Sequence, residues 1–540
     1  MESTSGPADS ARGGRFPRRE LLGRAAALGV GLGTSGALLA LGDAPAVAVP
    51  AATPRPGGRS IWAAESDPVS LNPITNSLFA SVQGFEHCYE SLTAYDAKMN
   101  IVPALAQSWE TPNETTYIFH LRRGVRWHDG TEFTADDVAY TFGIVLDPKG
   151  PAVYRSNFDQ VDKVQVVDKH TVKLLTKAPF PPLLGAFAIL RSSAIVQKGA
   201  LDKYNMETQI VGTGPYRLAE YVPKSYLRLV RNRDYWGKPL PYLDEVLFKI
   251  MTEEDARVAG LRARSIDYAF LTPLGEQRLR SERGLTILKG PRIFLYVFQI
   301  NMLRKPWSDV RVRRALNLAV DRREMIAKAL NGAGTVSGPI ATGFGHWFVP
   351  PAELERKWYV HDPEEAKRLL KGAGVPEGQP LDLLVTPFGG SGFYTAAAVV
   401  FKEQMQKVGI DVKIRQVEPG VFDKEISPPT FNYDIQINAF TPRHDPDGFL
   451  WNRFYSKNAY ADGYSNPKVD DLLLRARTTV NPAQRKALYD EVQRLLLADV
   501  PMLWIAVDQV IEGLQDYVQG YQQSPFTRRD WGLKHAWLQK

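Results

Sequence analysis

The chain has 540 residues, of which 44% are hydrophobic, and its 66 basic and 59 acidic residues give a formal net charge of +7. A chain of this length suggests about three domains or two large lobes, with a core large enough to need no disulfide. The single cysteine, Cys88, excludes an intrachain disulfide and a multi-cysteine metal site, and the lack of a dense basic run leaves nucleic-acid binding without support.

The N-terminal segment has the pattern of an export signal. Several arginines, among them the pair Arg18-Arg19, precede an apolar run from Ala25 to Leu41. This run is shorter than the roughly 20 apolar residues of a membrane span. Small residues follow at the spacing that a signal peptidase recognises, and the arginine pair is typical of a twin-arginine signal. We therefore predict a cleaved twin-arginine-type signal at residues 1–48 and a linker at 49–58, with an uncleaved anchor as the alternative.

The first half of the mature chain is predicted to contain mainly strands. Thr134, followed by Asp137, has the capping-box pattern that starts a helix. The segment 211–216, Val-Gly-Thr-Gly-Pro-Tyr, predicts a tight turn, because glycine accepts positive φ and proline fixes its own φ. This turn is either a phosphate-binding loop of an enzyme or a structural corner of a binding protein. The predicted elements are strands at 60–64, 117–122, 161–167, 170–176, 226–230 and 246–250, and helices near 81–92, 135–146 and 253–263.

Beyond Gly290 strands and helices alternate, which favours an α/β lobe. The continuous apolar run Ile293–Ile300 predicts a strand buried on both faces that crosses between lobes. Ser308 is predicted to cap one long helix from Asp309 to Asn331. The later predicted elements are helices starting at 363, 394 and 482, and strands at 381–386, 411–417, 433–438 and 501–507.

Five motifs together indicate a protein family. They are Pro103-Ala-Leu-Ala-Gln-Ser-Trp109, Leu121-Arg-Arg-Gly-Val-Arg-Trp-His-Asp-Gly-Thr131, Gly212-Thr-Gly-Pro-Tyr216, Arg231-Asn232-x-x-Tyr235-Trp236 and Ser308-Asp-Val-Arg-Val-Arg-Arg-Ala-Leu316. With these motifs in family order, the chain resembles the extracytoplasmic solute-binding proteins of ABC transporters, in the oligopeptide-, dipeptide- and nickel-binding class. The resemblance covers most of the mature chain.

The resemblance implies an α/β, two-lobed periplasmic-binding-protein (Venus flytrap) fold, of the large type with an extra subdomain in the first lobe. It places the first lobe at 59–289 plus 505–540 and the second lobe at 290–504. A hinge motion would close the lobes over a ligand.

The implied function is capture of a peptide or peptide-sized solute and its delivery to the membrane subunits of an ABC permease. The protein is expected to be a periplasmic or otherwise extracytoplasmic monomer, with no catalysis, cofactor or metal. A ligand sensor or chaperone on the same fold is the alternative. A secreted hydrolase is the weakest alternative, because no H-E-x-x-H, C-x-x-C, G-x-S-x-G or phosphate-loop spacing occurs.

Two positions depart from the family pattern for peptide binding. The acidic residue that holds a ligand's amino group, before an Asp-Pro pair, falls at Pro442, and Arg443 beside it would repel an ammonium. The loop 387–392, where dipeptide binders carry a basic residue for the carboxylate, has no positive charge. These departures predict that ligands needing a strong α-amino anchor bind weakly, and they favour an anionic or sugar-like ligand near Arg443.

The same resemblance, together with the pocket preference for aromatic and a few polar side chains, gives a set of candidate ligand-binding residues. For each of them, packing in the core or on the surface is the alternative. The ligand is expected to be a peptide, an opine or a sugar-like solute. The candidates are Glu65, Ser66, Tyr216, Thr272, Tyr296, Trp347, Phe388, Asn438, Phe440, Arg443 and Asp445.

Overall fold

The structure is a computed structural model that describes residues 53–68, 70–76, 79–96, 99–386, 393–440, 445–458, 462–524 and 530–540. The predicted export signal therefore lies outside the described residues. So do two of the candidate ligand-binding residues, Phe388 and Arg443.

Short strands and helices make up the first half of the described chain. Helix α2 begins after Thr134, whose N–H donates to the Asp137 carboxylate at 2.8 Å, as the capping box requires. The predicted hairpin at 161–176 is also confirmed. The elements are β1 (Arg59–Ala64), α1 (Phe79–Phe85), β2 (Thr93–Tyr95), β3 (Ile101–Pro103), β4 (Ala106–Asn113), β5 (Thr116–Leu121), α2 (Ala135–Leu146), a 3-10 helix (Arg155–Phe158), β6 (Val161–Asp168), β7 (Thr171–Thr176), α3 (Leu183–Phe187), α4 (Leu190–Ser193), α5 (Ala200–Lys203), β8 (Tyr216–Val222), β9 (Tyr226–Arg231), β10 (Glu245–Ile250), α6 (Glu254–Arg262), β11 (Tyr268–Leu271) and α7 (Pro273–Leu279).

Longer helices dominate the second half. The prediction of one helix over 309–331 is wrong, because Asp321 interrupts it: its side chain accepts the N–H groups of Arg323 and Glu324 and caps a new helix. The elements are β12 (Leu285–Ile300), α8 (Val310–Ala319), α9 (Arg322–Ala329), β13 (Gly334–Val336), α10 (Pro351–Lys357), α11 (Pro363–Gly372), β14 (Gln379–Val385), α12 (Phe393–Gln406), β15 (Ile410–Gln416), α13 (Pro419–Ile426), β16 (Ile435–Phe440), α14 (Pro446–Phe454), α15 (Pro467–Thr478), α16 (Pro482–Asp499), β17 (Met502–Gln515), β18 (Val518–Gln519), α17 (Asp530–Leu533) and β19 (Trp537–Leu538).

Two long antiparallel strands, β12 and β17, form the centre of the main sheet. Its strand order is β15-β14-β16-β12-β17-β11-β1-β10-β9-β8, with β13 paired to β17 beside this path. The ladder between β12 and β17 shifts register between Pro291 and Leu295. On one side of the shift β17 pairs with β11, and on the other β12 pairs with β16. The predicted strand at Ile293–Ile300 is therefore present, and it starts earlier, at Leu285, while its crossing between lobes stays a prediction.

The hydrophobic core divides into two large clusters. One is built almost entirely from residues 293–507, and the other from residues 62–268 together with 514–536. This division agrees with a two-lobed α/β fold, and the parallel β14-α12-β15 unit confirms the predicted alternation beyond Gly290. The lobe boundaries themselves stay a prediction.

The turn Gly212–Tyr216 is a corner in the second of these cores. Gly214 donates its N–H to the carbonyl oxygen of Cys88 at 2.8 Å. Gly212 donates to Nδ1 of His128 at 3.2 Å, and Nε2 of His128 lies 3.2 Å from the carbonyl oxygen of Gly214. The imidazole therefore carries its proton on Nε2 and is neutral, and burial lowers the pKa of His128 to about 4. These N–H groups bond within the protein, so the turn is not a phosphate cradle.

A buried ion pair holds the start of α14. Nη1 and Nη2 of Arg485 in α16 donate to the two carboxylate oxygens of Asp445 at 2.7 and 2.6 Å. Asp445 is also the N-cap of α14 and accepts the N–H of Asp447 at 2.9 Å. Nε of Arg485 donates to the carbonyl oxygen of Ala476 in α15 at 2.8 Å. One guanidinium thus joins three helices.

The close approach of Gly212 to the backbone of Cys88 predicts that Gly212→Ala destabilises the protein. An added Cβ would overlap the carbonyl oxygen of Cys88. We expect a loss of about 1–3 kcal/mol in the free energy of unfolding, measured by urea denaturation. The control is Gly143→Ala in α2, where nothing lies within 4 Å of the added Cβ. A helical alanine there should add up to about 1 kcal/mol. Equal effects of the two substitutions would contradict the packing described for the corner.

Arg485→Met should destabilise the protein by about 3–5 kcal/mol, because it removes the bidentate guanidinium from the buried Asp445 carboxylate. The matched control is Lys486→Met. Lys486 is the next residue in the same helix, and its ion pair with Asp490 is about one-third exposed (33% and 29%). That substitution should cost less than about 1 kcal/mol. Urea denaturation of the two variants gives the comparison, and a similar cost for both would show that the Asp445 pair does not hold α14.

Candidate functional site

A cleft of about 820 Å³ lies between two chain segments that are distant in sequence, residues 153–192 and residues 423–477. This volume falls within the range of about 300–1,000 Å³ that small-molecule sites occupy. The first segment includes the 3-10 helix Arg155–Phe158, and the second includes all of α14. Because both segments line it, the cleft is where a solute would contact two parts of the fold at once.

Aromatic rings form much of the cleft lining. Tyr154 and Phe180 lie on one wall, and Phe440, Phe449 and Trp451 lie on the other. The rings on the second wall are packed: the centroids of Phe440 and Phe449 are 5.1 Å apart. Such rings supply large apolar contact surfaces that fix the orientation of a bound solute.

Charged side chains of both signs also line the cleft. The cations are Arg191, Arg453 and Arg477, and the acids are Asp159, Asp423 and Asp447. Arg477 joins the two walls, since its guanidinium lies 3.9 Å from the carboxylate of Asp159 and 3.6 Å from that of Asp447. A cleft with these groups suits a solute that carries charge.

Asp447 is the most perturbed acid of the cleft. Its side chain is 5% exposed, and its Oδ1 has no hydrogen-bond partner within the part of the chain that the structure describes. Burial raises the pKa of Asp447 to about 7, while Arg477 lowers it and Asp445 raises it. This carboxyl therefore changes charge close to neutral pH.

Five of the candidate ligand-binding residues lie near one another. Phe440 lines the cleft and, with Asp445, also lines a small adjoining cavity. Asp445 is engaged by Arg485, whose Cζ lies 5.5 Å from the Trp347 ring. Tyr296 and Asn438 are on the paired strands β12 and β16 that lead to Phe440. The Tyr296 hydroxyl bonds to Asp508 at 3.2 Å, and its ring packs on Phe393, 3.8 Å between centroids.

Of the described candidates, Phe440 is the one that lines this cleft; Glu65, Ser66, Tyr216 and Thr272 line neither the cleft nor the small cavity beside it. Glu65 accepts a hydrogen bond from Gln83. Thr272 caps α7 and bonds to Glu254. Tyr216 is fully buried in a hydrophobic core, a position that favours packing over ligand contact. The ligand-binding role of every candidate stays a prediction.

Several cleft residues were not among the candidates. Asp447 lies in the first turn of α14, shortly after Pro442, the position at which the family resemblance places the amino-group anchor. The aromatic side chains of Tyr154, Phe180 and Trp451 carry no local signal that separates them from core residues. Arg477 lies thirty residues after Asp447, within the charged helix α15, so only the tertiary fold brings it to the cleft.

Within the described part of the chain, no helix is both long and apolar enough to cross a membrane. The longest, α16, has 18 residues and carries several charges, including Arg485 and Lys486. The described residues likewise include no group of three or more His, Cys, Asp or Glu side chains that could hold a metal ion.

Comparison with known proteins places these features in a family. Residues 100–461 match the bacterial extracellular solute-binding proteins, family 5 (middle region). The di/tripeptide-binding protein 2 of Pseudomonas aeruginosa (strain UCBPP-PA14) is 28% identical over 477 residues, which is 82% of this chain and 88% of that protein. The dipeptide-binding protein of Escherichia coli K12 is 27% identical over 514 residues, 87% of this chain and 92% of that protein.

A solved structure agrees with the sequence relatives. The periplasmic binding protein AgaA from A. tumefaciens R10, in complex with agropinic acid, superposes with a TM-score of 0.73 at 26% identity. The match covers 89% of this chain and 99% of that chain. The family match spans well over half of the chain, and it covers the first segment of the cleft and the second segment as far as residue 461. The chain therefore belongs to the family 5 bacterial extracellular solute-binding proteins.

Proposed function

We propose that this protein captures a peptide or peptide-sized solute outside the cytoplasm and delivers it to the membrane subunits of an ABC importer. The observation that carries the proposal is the cleft, whose lining comes from two distant segments and contains aromatic rings and charges of both signs. Its volume suits a small solute. Family relatives named for dipeptide and di/tripeptide binding support the same solute class.

The proposal includes capture without chemical conversion of the solute. The family and its structural neighbours are binding proteins. The signal at residues 1–48, its cleavage and a monomeric state are further parts of the proposal that rest on the sequence pattern.

Opines stay within the proposed solute class. AgaA, at 26% identity, was crystallised with agropinic acid, an observation that keeps carboxylate-rich solutes beside peptides. The predicted anionic or sugar-like preference near Arg443 remains a proposal, because that residue lies outside the described part of the chain.

Thermal-shift and calorimetric titrations of the mature protein test the proposal with dialanine, trialanine, agropinic acid and cellobiose. We expect saturable stabilisation by at least one compound, amounting to about 2.7 kcal/mol at a free concentration a hundred times Kd. Peptides or the opine should bind more tightly than the sugar. Turnover of a bound compound, or the absence of binding by all four, would contradict the proposed function.

Phe440→Ala tests whether the bound compound occupies the cleft. Loss of the ring should weaken binding by about 1.5 kcal/mol, or roughly tenfold in Kd. The control is Leu303→Ala, since Leu303 is 61% exposed and does not line the cleft. The calorimetric Kd should rise for Phe440→Ala and stay unchanged for Leu303→Ala.

Arg443→Ala should weaken the binding of an anionic compound. Equal affinities for Phe440→Ala, Leu303→Ala and Arg443→Ala would place the site elsewhere.

A further inference from the structure

Arg477 lies in the cleft with its hydrogen-bonding capacity unused. Its side chain is 16% exposed, and no hydrogen bond among the described residues involves its guanidinium. The two carboxylates nearest to it, Asp159 and Asp447, lie 3.9 and 3.6 Å away. These distances exceed the roughly 2.7–2.9 Å of a charge-assisted hydrogen bond. A guanidinium offers five N–H donors, and those of Arg477 are therefore available to a solute in the cleft.

The guanidinium of Arg477 lies against two aromatic rings. Cζ of Arg477 lies 4.4 Å from the centroid of the Trp451 ring and 5.5 Å from that of Phe180. Stacking leaves the edges of the guanidinium free to bind a planar anion, and a paired, bidentate hydrogen bond to a carboxylate is the arrangement that arginine favours. The two rings come from opposite walls of the cleft.

We propose that Arg477 is the residue that binds a carboxylate of the captured solute, exchanging its long ion pairs with Asp159 and Asp447 for that carboxylate. This inference rests on the proposed function and specifies its solute class: a peptide or opine with a free carboxylate. It would supply the positive charge that dipeptide binders carry in the loop corresponding to 387–392 and that this sequence lacks there.

Asp447 is the competitor that makes this binding depend on pH. The charged groups around Asp447 are Arg477 from α15, Arg485 from α16, Asp445 at the start of its own helix, and Asp159 from the opposite wall. Burial raises its pKa to about 7. Above that pH the Asp447 carboxylate competes for Arg477, and below it the neutral acid leaves the guanidinium to the solute. Carboxylate affinity should therefore rise as the pH falls through neutrality, by at most about tenfold between pH 8 and pH 6.

Calorimetric titration with three probes tests the anchor: trialanine, trialanine C-terminal amide and agropinic acid. Wild-type protein should bind trialanine at least about tenfold more tightly than its amide, the cost of losing a charged hydrogen-bond partner. Arg477→Met should bind the acid and the amide about equally, and Arg477→Lys should recover part of the difference. The matched control is Arg475→Met, which removes a 60% exposed arginine two residues away in α15 and should behave as wild type.

The pH dependence is tested by calorimetric titration of Asp447→Asn with the same trialanine probe. The variant should bind at pH 8 as tightly as wild type does at pH 6, and its affinity should change less with pH than that of the wild type. Because the probe is the same, titration of the peptide's own amino group cancels in the comparison. Melting temperatures within a few degrees of wild type confirm that the variants are folded.

The results of these titrations distinguish a failure of the carboxylate-binding role of Arg477 from a failure of the proposed function. Equal binding of trialanine and its amide, or an acid preference that survives Arg477→Met, overturns the anchor and leaves solute capture standing. No binding of any of the three probes overturns both. A pH dependence that is unchanged in Asp447→Asn overturns the assigned competition.

Discussion

The ion pair between Asp445 and Arg485 positions the wall of the cleft. Both side chains are nearly fully buried, and the pair fixes the first turn of α14 against α15 and α16. Helix α14 then carries Asp447, Phe449, Trp451 and Arg453 into the cleft. A buried ion pair contributes little net stability compared with apolar packing, because desolvation offsets the attraction. Its role here is geometric, since the bidentate contact sets the direction in which the helix leaves the sheet.

Arg477 in the cleft is less tightly bonded than Arg485. Arg485 has its hydrogen-bond partners at 2.6 to 3.1 Å, whereas Arg477 has only ion pairs at 3.6 and 3.9 Å. The contrast separates a structural arginine from one whose donors are available. In a solute-binding protein the second kind is expected where a ligand completes the bonding, because a donor satisfied within the protein would have to be released first.

The sequence predicted much of the fold because its signals are local. The capping box at Thr134, the hairpin at 161–176 and the β14-α12-β15 alternation each depend on residues close together in the chain. The prediction of one long helix over 309–331 was wrong, because a single aspartate, Asp321, caps a new helix where the apolar pattern continues. The full lengths of β12 and β17 were missed, since polar and proline positions within them are tolerated only through their mutual pairing.

The site was less predictable, because its residues come together only in the tertiary structure. The family pattern pointed to the segment around Pro442, and Phe440 before it and Asp447 after it both line the cleft. Arg477, Tyr154 and Phe180 reach the cleft through tertiary packing, which leaves no trace in spacing or periodicity. The Gly212–Tyr216 turn is the opposite case, a conspicuous sequence motif that is not part of the site. It forms a structural corner, and its N–H groups are bonded to Cys88 and His128.

The central claim is that solute binds between residues 153–192 and 423–477. Hydrogen–deuterium exchange of the mature protein, with and without saturating trialanine, tests it directly. Exchange should slow in both segments together and stay unchanged in helices α6 and α7, which contribute no residue to the cleft lining. Protection confined to one segment, or located in α6 and α7 instead, would contradict it.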